Sequence, residues 1–495
     1  MANAYFTTGS SSSVTGLDLN NDGIDDIVQS NAVDDAGRVT VIYGSTQGFD
    51  PTIDLSNIDP LDGFALTGTA VGDEFGYVLG TANDLLDNGE DALLIGSRAK
   101  GQVDVVFAGQ TSIGFTVTGL PTLADGMSVA GLGDFNGDGI GDFAIGAPEA
   151  GDGLTFPGEV YVIFGSTTLS GTTLDVSALD GTNGFVINGF QQDAQAGASI
   201  AGAGDLNGDG FADLVIGAPT FDDFSNTNSG TAFIVYGSDG TIAAAENIDT
   251  STNLSTTPLI GFAAVDEGGR SVGGGADVNG DNIPDVIVAA PLADPNGSSA
   301  GIAYVLFDPD PATAITLPDV DGSDGFVIEG LNANDQLGAA VGLLGDVSGD
   351  GIGDIGVLTR SGDLYIIYGT TANTGGSVDL SLIDQVGGPD GIVFTNLFDG
   401  DANTQVSLTS LGDINADQSG SINDISISAI GQGGTPLAAI SILGGEANFA
   451  AMQAAAGSTG GTIDFSALPD DVDFVANDTK ITIGGDTAAT VTEDS

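Results

Sequence analysis

The stretch Asp134-Phe135-Asn136-Gly137-Asp138-Gly139-Ile140-Gly141-Asp142 most constrains what this chain can fold into. Oxygen-bearing side chains stand at positions 1, 3, 5 and 9, and glycines at 4, 6 and 8 let the backbone curl around a centre. Hard cations take about six to eight oxygen ligands at ~2.3–2.6 Å, and a main-chain carbonyl at position 7 adds one more to the side chains. The pattern implies calcium. An EF-hand would close with a bidentate Glu at position 12, where this chain has Ile145. Apolar runs at 127–132 and 143–147 flank the loop, the second ending at Pro148. The loop therefore reads as a hairpin turn between two strands, closed by a metal.

The stretch recurs. Asp18, Asn20, Asp22 and Asp26, with the carbonyl of Ile24, repeat the set formed by Asp134, Asn136, Asp138 and Asp142 with Ile140. Asp205, Asn207, Asp209 and Asp213 with Phe211 form another, as do Asp277, Asn279, Asp281 and Asp285 with Ile283, and Asp346, Ser348, Asp350 and Asp354 with Ile352. A sixth begins Asp413-Ile414-Asn415-Ala416-Asp417, but its closing acid, Asp424, falls at position 12, which suggests closure like an EF-hand or dockerin-type loop. At 83–91, Leu85 and Leu86 stand where oxygens belong, so this copy reads as a metal-free relic starting at Asn83. Five to six calcium sites are expected.

Repeats decide the fold. Loop starts run from position 18 to position 413, 395 residues over six intervals, or about 66 residues per unit. Each unit shows a strand into the loop, a strand out, a third after a turn (38–44, 103–107, 159–165, 232–237, 302–307, 363–369, 438–444) and a short Asp-centred connector (53–56, 174–177, 378–381, 463–466). A fourth strand closes the unit, at 63–68, 114–119, 184–189, 325–330 and 391–396. Four strands in each of seven units, with helical periodicity only at 446–456, indicate an all-β, seven-bladed β-propeller of antiparallel blades. The blades are expected at 1–72, 73–124, 125–193, 194–266, 267–334, 335–400 and 401–478. Glycine-rich first strands suit the crowded axis, and the third-strand aromatics (Tyr43, Phe107, Tyr161, Phe164, Phe233, Tyr236, Tyr304, Phe307, Tyr365, Tyr368) suit packing between blades. Residues 473–478 read as the last fourth strand and 5–9 as an extra copy, either of which would close the ring.

Phe75-Gly76 before a strand, the Asp-x-Asn-x-Asp-Gly-x-x-Asp loop and the Gly-Ala-Pro after it resemble the FG-GAP repeat. That resemblance implies the seven-bladed propeller of integrin α subunits and of bacterial surface proteins, over positions 1 to about 478. The tail, 479–495, resembles the opening of the β-sandwich repeats that follow such propellers in large bacterial adhesins, which implies a module of a longer protein.

The chain carries 69 acids against six bases, a net charge of −63, yet its mean hydropathy is +0.21, which excludes disorder. Eighteen acids occupy ligand positions in the six loops, three in each, and six divalent cations would bring −63 to −51. The remainder excludes nucleic acid and anionic membranes as partners and fits a saline, calcium-rich exterior. Without Cys there is no disulfide, and without His the commonest general base is missing. No apolar run approaches the ~20 residues of a membrane helix. The first residues lack a secretory h-region, so export implies a removed leader or another route.

No nucleophile elbow or phosphate loop is present, and the pairs Asp25-Asp26, Asp222-Asp223 and Asp470-Asp471 single out no acid and nucleophile, so no enzyme is expected. A carboxylate-dependent glycan-active enzyme is the weaker alternative. The expected function is an extracellular or cell-surface calcium-binding module, bacterial and marine in character, that adheres to a surface protein or glycan. The rival is a self-associating structural subunit of a surface layer or filament. Metals would crowd one face, leaving the long loops at 149–158, 220–230 and 292–301, with Phe156, Phe221 and Phe224, for partners on the other. Arg98 and Lys100 are expected to pair with acids of neighbouring blades.

Overall fold

In the computed structural model, the described residues are 17–32, 36–45, 58–122, 126–151, 156–189, 191–222, 227–240, 242–248, 253–309, 314–372, 375–383, 390–395, 397–398, 405–414 and 423–430. The strands Ser13–Val14, Pro436–Ile442, Thr462–Asp464 and Ile481–Gly484 are described as well.

The chain is all-β. The β-branched and aromatic runs that leave each loop, such as Asp142–Ala147 and Asp213–Ala218, are buried along their whole length, as strands covered on both faces must be. In repeat 3, Ser128–Gly133, Asp142–Ala147, Glu159–Ile163 and Gly184–Asn188 pair antiparallel in sequence order. The same meander recurs in every repeat, giving seven sheets among the described residues. Where four of the first hairpins meet their loops the register slips by a residue, as between Asp142 and Phe143, which opens the turn. Each first strand lies against the first strand of the next repeat, and Ser13–Val14 lies against both Phe75–Asn83 and Gln405–Gly412. Small residues permit this approach: a Cβ at Gly202 would come 2.3 Å from the carbonyl oxygen of Gly131. The arrangement is consistent with a propeller.

The connectors do more than join strands. Thr172–Asp175 lies between the third and fourth strands of repeat 3, yet it pairs in parallel with Phe115–Thr118, the fourth strand of repeat 2. Ala245–Asn247, Ile315–Thr316, Ser377–Val378 and Thr462–Asp464 make the same crossing. Each covers the open edge of the preceding sheet, where unpaired N–H and C=O groups would otherwise face water. The Asp at the connector's centre then turns the chain: Asp175 and Asp379 accept the backbone N–H of Ser177 and Ser381 and cap a short 3-10 turn.

The apolar core lies between sheets. Phe185 is fully buried 6.0 Å from Phe135 and 5.9 Å from Phe164, in a cluster with Ile200, Leu214 and Phe233 of the next repeat. The third-strand aromatics are buried or half-buried there as expected. The fourth strand of repeat 4, which the sequence left unassigned, is Ser255–Ile260, disguised by Pro258 and by the missing Gly-Phe opening. The strand that completes the last sheet is Ile481–Gly484, within the expected tail. The expected elements at 5–9, 53–56, 446–456 and 473–478 lie outside the described residues. Among the described residues, no helix is long and apolar enough to cross a membrane.

Phe185→Ala is expected to destabilise the chain by about 3–5 kcal/mol through the cavity it leaves. Phe156→Ala, at a 37 % exposed side chain, should stay within about 0.5 kcal/mol. Denaturant midpoints of the two variants check this.

Candidate metal centre

The loops are tied by their own oxygens. The Asp134 carboxylate accepts N–H bonds from Gly137 at 2.7 Å, Asp138 at 3.1 Å and Gly139 at 2.9 Å. Asn136 Oδ1 accepts from the Asp138 N–H at 2.8 Å, and Asp138 Oδ1 from that of Ile140 at 2.9 Å. This nest needs a left-handed backbone at positions 4 and 6, met by Gly137 (φ 79°) and Gly139 (φ 87°). Where glycine is missing, Asn21 (φ 60°) and Asn282 (φ 70°) take its place, asparagine being the side chain that best tolerates this region. Asp18, Asp205, Asp277 and Asp346 organise their loops as Asp134 does.

The ninth position has a second task. Asp142 is fully buried; one oxygen accepts from the N–H of Phe135 at 3.0 Å and the other from Gly165 at 2.8 Å, beyond the third strand. Asp26 binds Leu19 and Gly44 in the same way, Asp213 binds Leu206 and Gly237, and Asp354 binds Val347 and Gly369. One carboxylate thus pins the loop to the end of the third strand. Burial pushes these carboxyls up, to about 8 in Asp142 and about 7 in Asp26, Asp213 and Asp354. The N–H donors offset part of the rise, and the other aspartates of each loop add to it.

Neighbouring loops are also bonded to one another. The N–H before the closing Asp donates to the first carbonyl of the preceding loop: Gly141 to Asp84, Ala212 to Asp134, Gly353 to Asp277 and Asn423 to Asp346. The series joins the chain's two ends, because Asp25 N–H donates to Asp413 O at 3.3 Å and Asp413 N–H to Asp25 Oδ2 at 3.0 Å. Asp25 and Asp26 are thereby engaged in loop structure, and Asp222 accepts the Asn228 N–H within its own loop.

Three details depart from the sequence reading. The second loop starts at Asp84, not Asn83: Asp84 Oδ1 takes the N–H groups of Asn88 and Gly89, and Leu85 fills the buried second position held elsewhere by Leu19 or Phe135. That loop is one residue shorter than the others, a change that motif matching from a fixed end hides. Asp424 closes the seventh loop like the other closing acids, its carboxylate accepting from Ile414 N–H at 3.1 Å; Asn415 and Asp417 lie outside the described residues. Arg98 pairs within its own repeat, with both Glu74 oxygens at 2.8 and 2.9 Å, and lies 4.1 Å over the Tyr77 ring. Lys100 reaches Thr69 Oγ1 at 3.4 Å.

Sequence reasoning missed Asp308. It stands where the other repeats carry Gly44, Gly165, Gly237 and Gly369, with φ 43°. Its N–H makes no bond to the closing Asp285, whose buried Oδ1 has no partner. The Asp308 carboxyl instead meets that of Asp281, near Asp277. Aligning the residues that follow each third strand would have exposed this substitution.

Among the described residues, no three carboxyl groups converge as a ready cage. The first and closing acids of the loops at Asp18, Asp134, Asp205, Asp277 and Asp346 face backbone N–H groups. The donors are nonetheless all oxygen, and the orphaned oxygens of Asp285 and Asp413, buried without a hydrogen-bond donor, suit a hard cation.

Residues 126–163, 196–235 and 268–306 match the FG-GAP repeat. Phosphatidylinositol-glycan-specific phospholipase D of Bos taurus is 32 % identical over 181 residues, 35 % of this chain and 19 % of that protein. Integrin alpha-PS2 of Drosophila melanogaster is 33 % identical over 179 residues, 32 % of this chain and 12 % of the integrin. Three FG-GAP repeats and homology to integrin alpha chains over about a third of the chain support an FG-GAP β-propeller. The chain spans about a fifth or less of the length of these relatives. A lectin from Burkholderia pseudomallei aligns with a TM-score of 0.45 at 15 % identity, over 89 % of this chain and 97 % of the lectin, too loosely to carry an argument.

The phospholipase relatives correct one expectation. The lack of histidine and of a nucleophile elbow argued against an enzyme, whereas the homology points to an enzyme family over part of the chain. Residue inventory weighs only the side chains present and is blind to the kind of polypeptide in which such repeats occur.

The closing acids set a pH dependence for the metal-free chain. Their folded pKa values, about 7 to 8, lie above the ordinary carboxylate value, so the stability they contribute is full below about pH 4 and is lost as pH rises through 7 to 8. In chelator, stability should fall from pH 5 to pH 8 and level off above that, as denaturant midpoints across this range will show.

Proposed function

We propose that the chain is a seven-bladed β-propeller, stapled by calcium on one face, that binds a protein or glycan ligand with the other at the outside of a cell. The observation that carries this is the series of oxygen-rich loops, bonded neighbour to neighbour from Asp84 to the loop at Asp205 and again from the loop at Asp277 to Asp25, with a break only where Pro284 offers no N–H. Integrin alpha homology and the surplus of acids support a secreted or surface setting, and the bacterial, saline character read from the sequence belongs to the same proposal.

The sites are those starting at Asp18, Asp134, Asp205, Asp277 and Asp346, with a further one at Asp413; the loop at Asp84 binds none. In each, the side chains at positions 1, 3 and 5, the closing acid and the carbonyl at position 7 surround the ion. At the fifth loop Asp308 adds a carboxylate. Calcium suits such sites better than magnesium, whose small octahedral shell favours water. Without a cation, acids within a few ångströms of one another repel. A bound ligand stabilises the folded state by RT ln(1 + [L]/Kd), about 2.7 kcal/mol per site at a hundredfold excess. Several sites together rival the ~5–15 kcal/mol of a whole domain.

A thermal melt in about 1 mM calcium should lie well above one in chelator at equal ionic strength, with magnesium giving a smaller rise. Equal melting temperatures would end the proposal. Asp308→Gly should narrow the gap between the two melts, because without a Cβ the backbone can follow the path of Gly165 and bring its N–H to Asp285 in the metal-free chain, while the loaded chain loses an oxygen. Sizing at rising concentration separates a monomeric binder from a self-assembling subunit.

A further inference from the structure

A cavity of about 520 Å³ lies apart from the loops. It is lined at the starting ends of the first strands, by Arg270 and Ser271 of repeat 5 and by Ser407 of repeat 7. The oxygen-rich loops follow the far ends of these same strands, so the cavity and the loops occupy opposite ends of the sheets.

Its charge runs against that of the chain. Two of the six bases, Arg270 and Arg360, line it, against a single acid, Glu149. Sixteen of 495 residues form the lining, so an even spread of six bases would leave it none. Arg98 shows what an arginine ordinarily does in so acidic a protein, gripping Glu74 with two bonds. Arg270 is exposed and, among the described residues, forms no ion pair. A guanidinium offers five donors in a rigid fork that matches a carboxylate with two parallel bonds.

We infer that this cavity binds the carboxylate of an acidic sugar residue, with Arg270 and Arg360 as its cationic partners. The volume falls within the roughly 300–1,000 Å³ of small-ligand sites. Gln195, Ser271, Ser407 and the Tyr77 hydroxyl supply amide and hydroxyl groups for a polyhydroxylated ring. The strands present their ends here and not their edges, so an extended peptide finds no ladder to join. A doubly charged phosphate is repelled more strongly than a single carboxylate by a body of net charge −63. The inference rests on the reading of the chain as a ligand-binding module and names the ligand's chemistry.

The test is ligand-observed NMR titration of the calcium-loaded chain in about 0.15 M salt, where repulsion beyond ~8 Å is screened. The probes are D-glucuronate, D-glucose, a glutamyl dipeptide and inorganic phosphate. Glucuronate should bind and glucose should not. Arg270→Gln should weaken glucuronate at least tenfold with the melting temperature unchanged, since the side chain is exposed; Arg270→Lys should fall between. Equal binding of glucuronate and glucose, equal affinity in Arg270→Gln, or tighter binding of the dipeptide or phosphate would each overturn the assignment. A chain that melts higher with calcium yet ignores glucuronate overturns this inference alone.

Discussion

The fold depends on a carboxylate placed where carboxylates are costly. Asp26, Asp142, Asp213 and Asp354 are each buried at the root of their loop, with one oxygen on the loop's second N–H and the other on the N–H that follows the third strand. A buried ionised group is tolerated only when its lone pairs are met, and backbone N–H groups meet most of them here. The same bonds fix three strands of a sheet at one end. Asp285 Oδ1 is left without a donor, because Asp308 stands where the other repeats have a glycine, a position at which a Cβ would meet the loop backbone, as at Gly165, 2.1 Å from Gly141 O.

From that anchor the order spreads sideways. Except at Pro284, which has no N–H, the residue before the closing acid bonds to the previous loop where it is described, and residues after the third strand do the same, as Ser166 does to Leu85 and Ser238 to Phe135. On the outer rim the connectors lay a short parallel strand on the preceding sheet. Five of the seven sheets are therefore bonded to the following repeat at the outer edge, and most neighbouring loops at the loop end, with apolar clusters between. This explains how a chain of net charge −63 holds together: most of its acids sit in loops and on the surface, and the clusters between sheets are built from Val, Ile, Leu, Phe, Ala and Tyr.

A second consequence concerns where the few bases lie. Arg98 and Lys100 were expected to reach across to other repeats, yet Arg98 is satisfied by Glu74 in its own. Partner choice among dozens of acids is a matter of side-chain reach in three dimensions, and position along the chain carries little information about it. The gathering of Arg270 and Arg360, ninety positions apart, at one cavity is of the same kind.

The sequence by itself determined the loops, the order of strands within a repeat, the buried third-strand aromatics and the FG-GAP kinship. These follow from short-range rules: oxygen spacing, left-handed positions for Gly and Asn, and apolar runs of strand length. It went astray where spacing alone was the guide, at the one-residue register of the second loop, and it could not see where an acid such as Asp308 or a connector such as Thr172–Asp175 would land. Those were decided by tertiary structure, because a contact between neighbouring repeats joins residues some seventy positions apart, and only the packing of one sheet against the next brings them within hydrogen-bonding range.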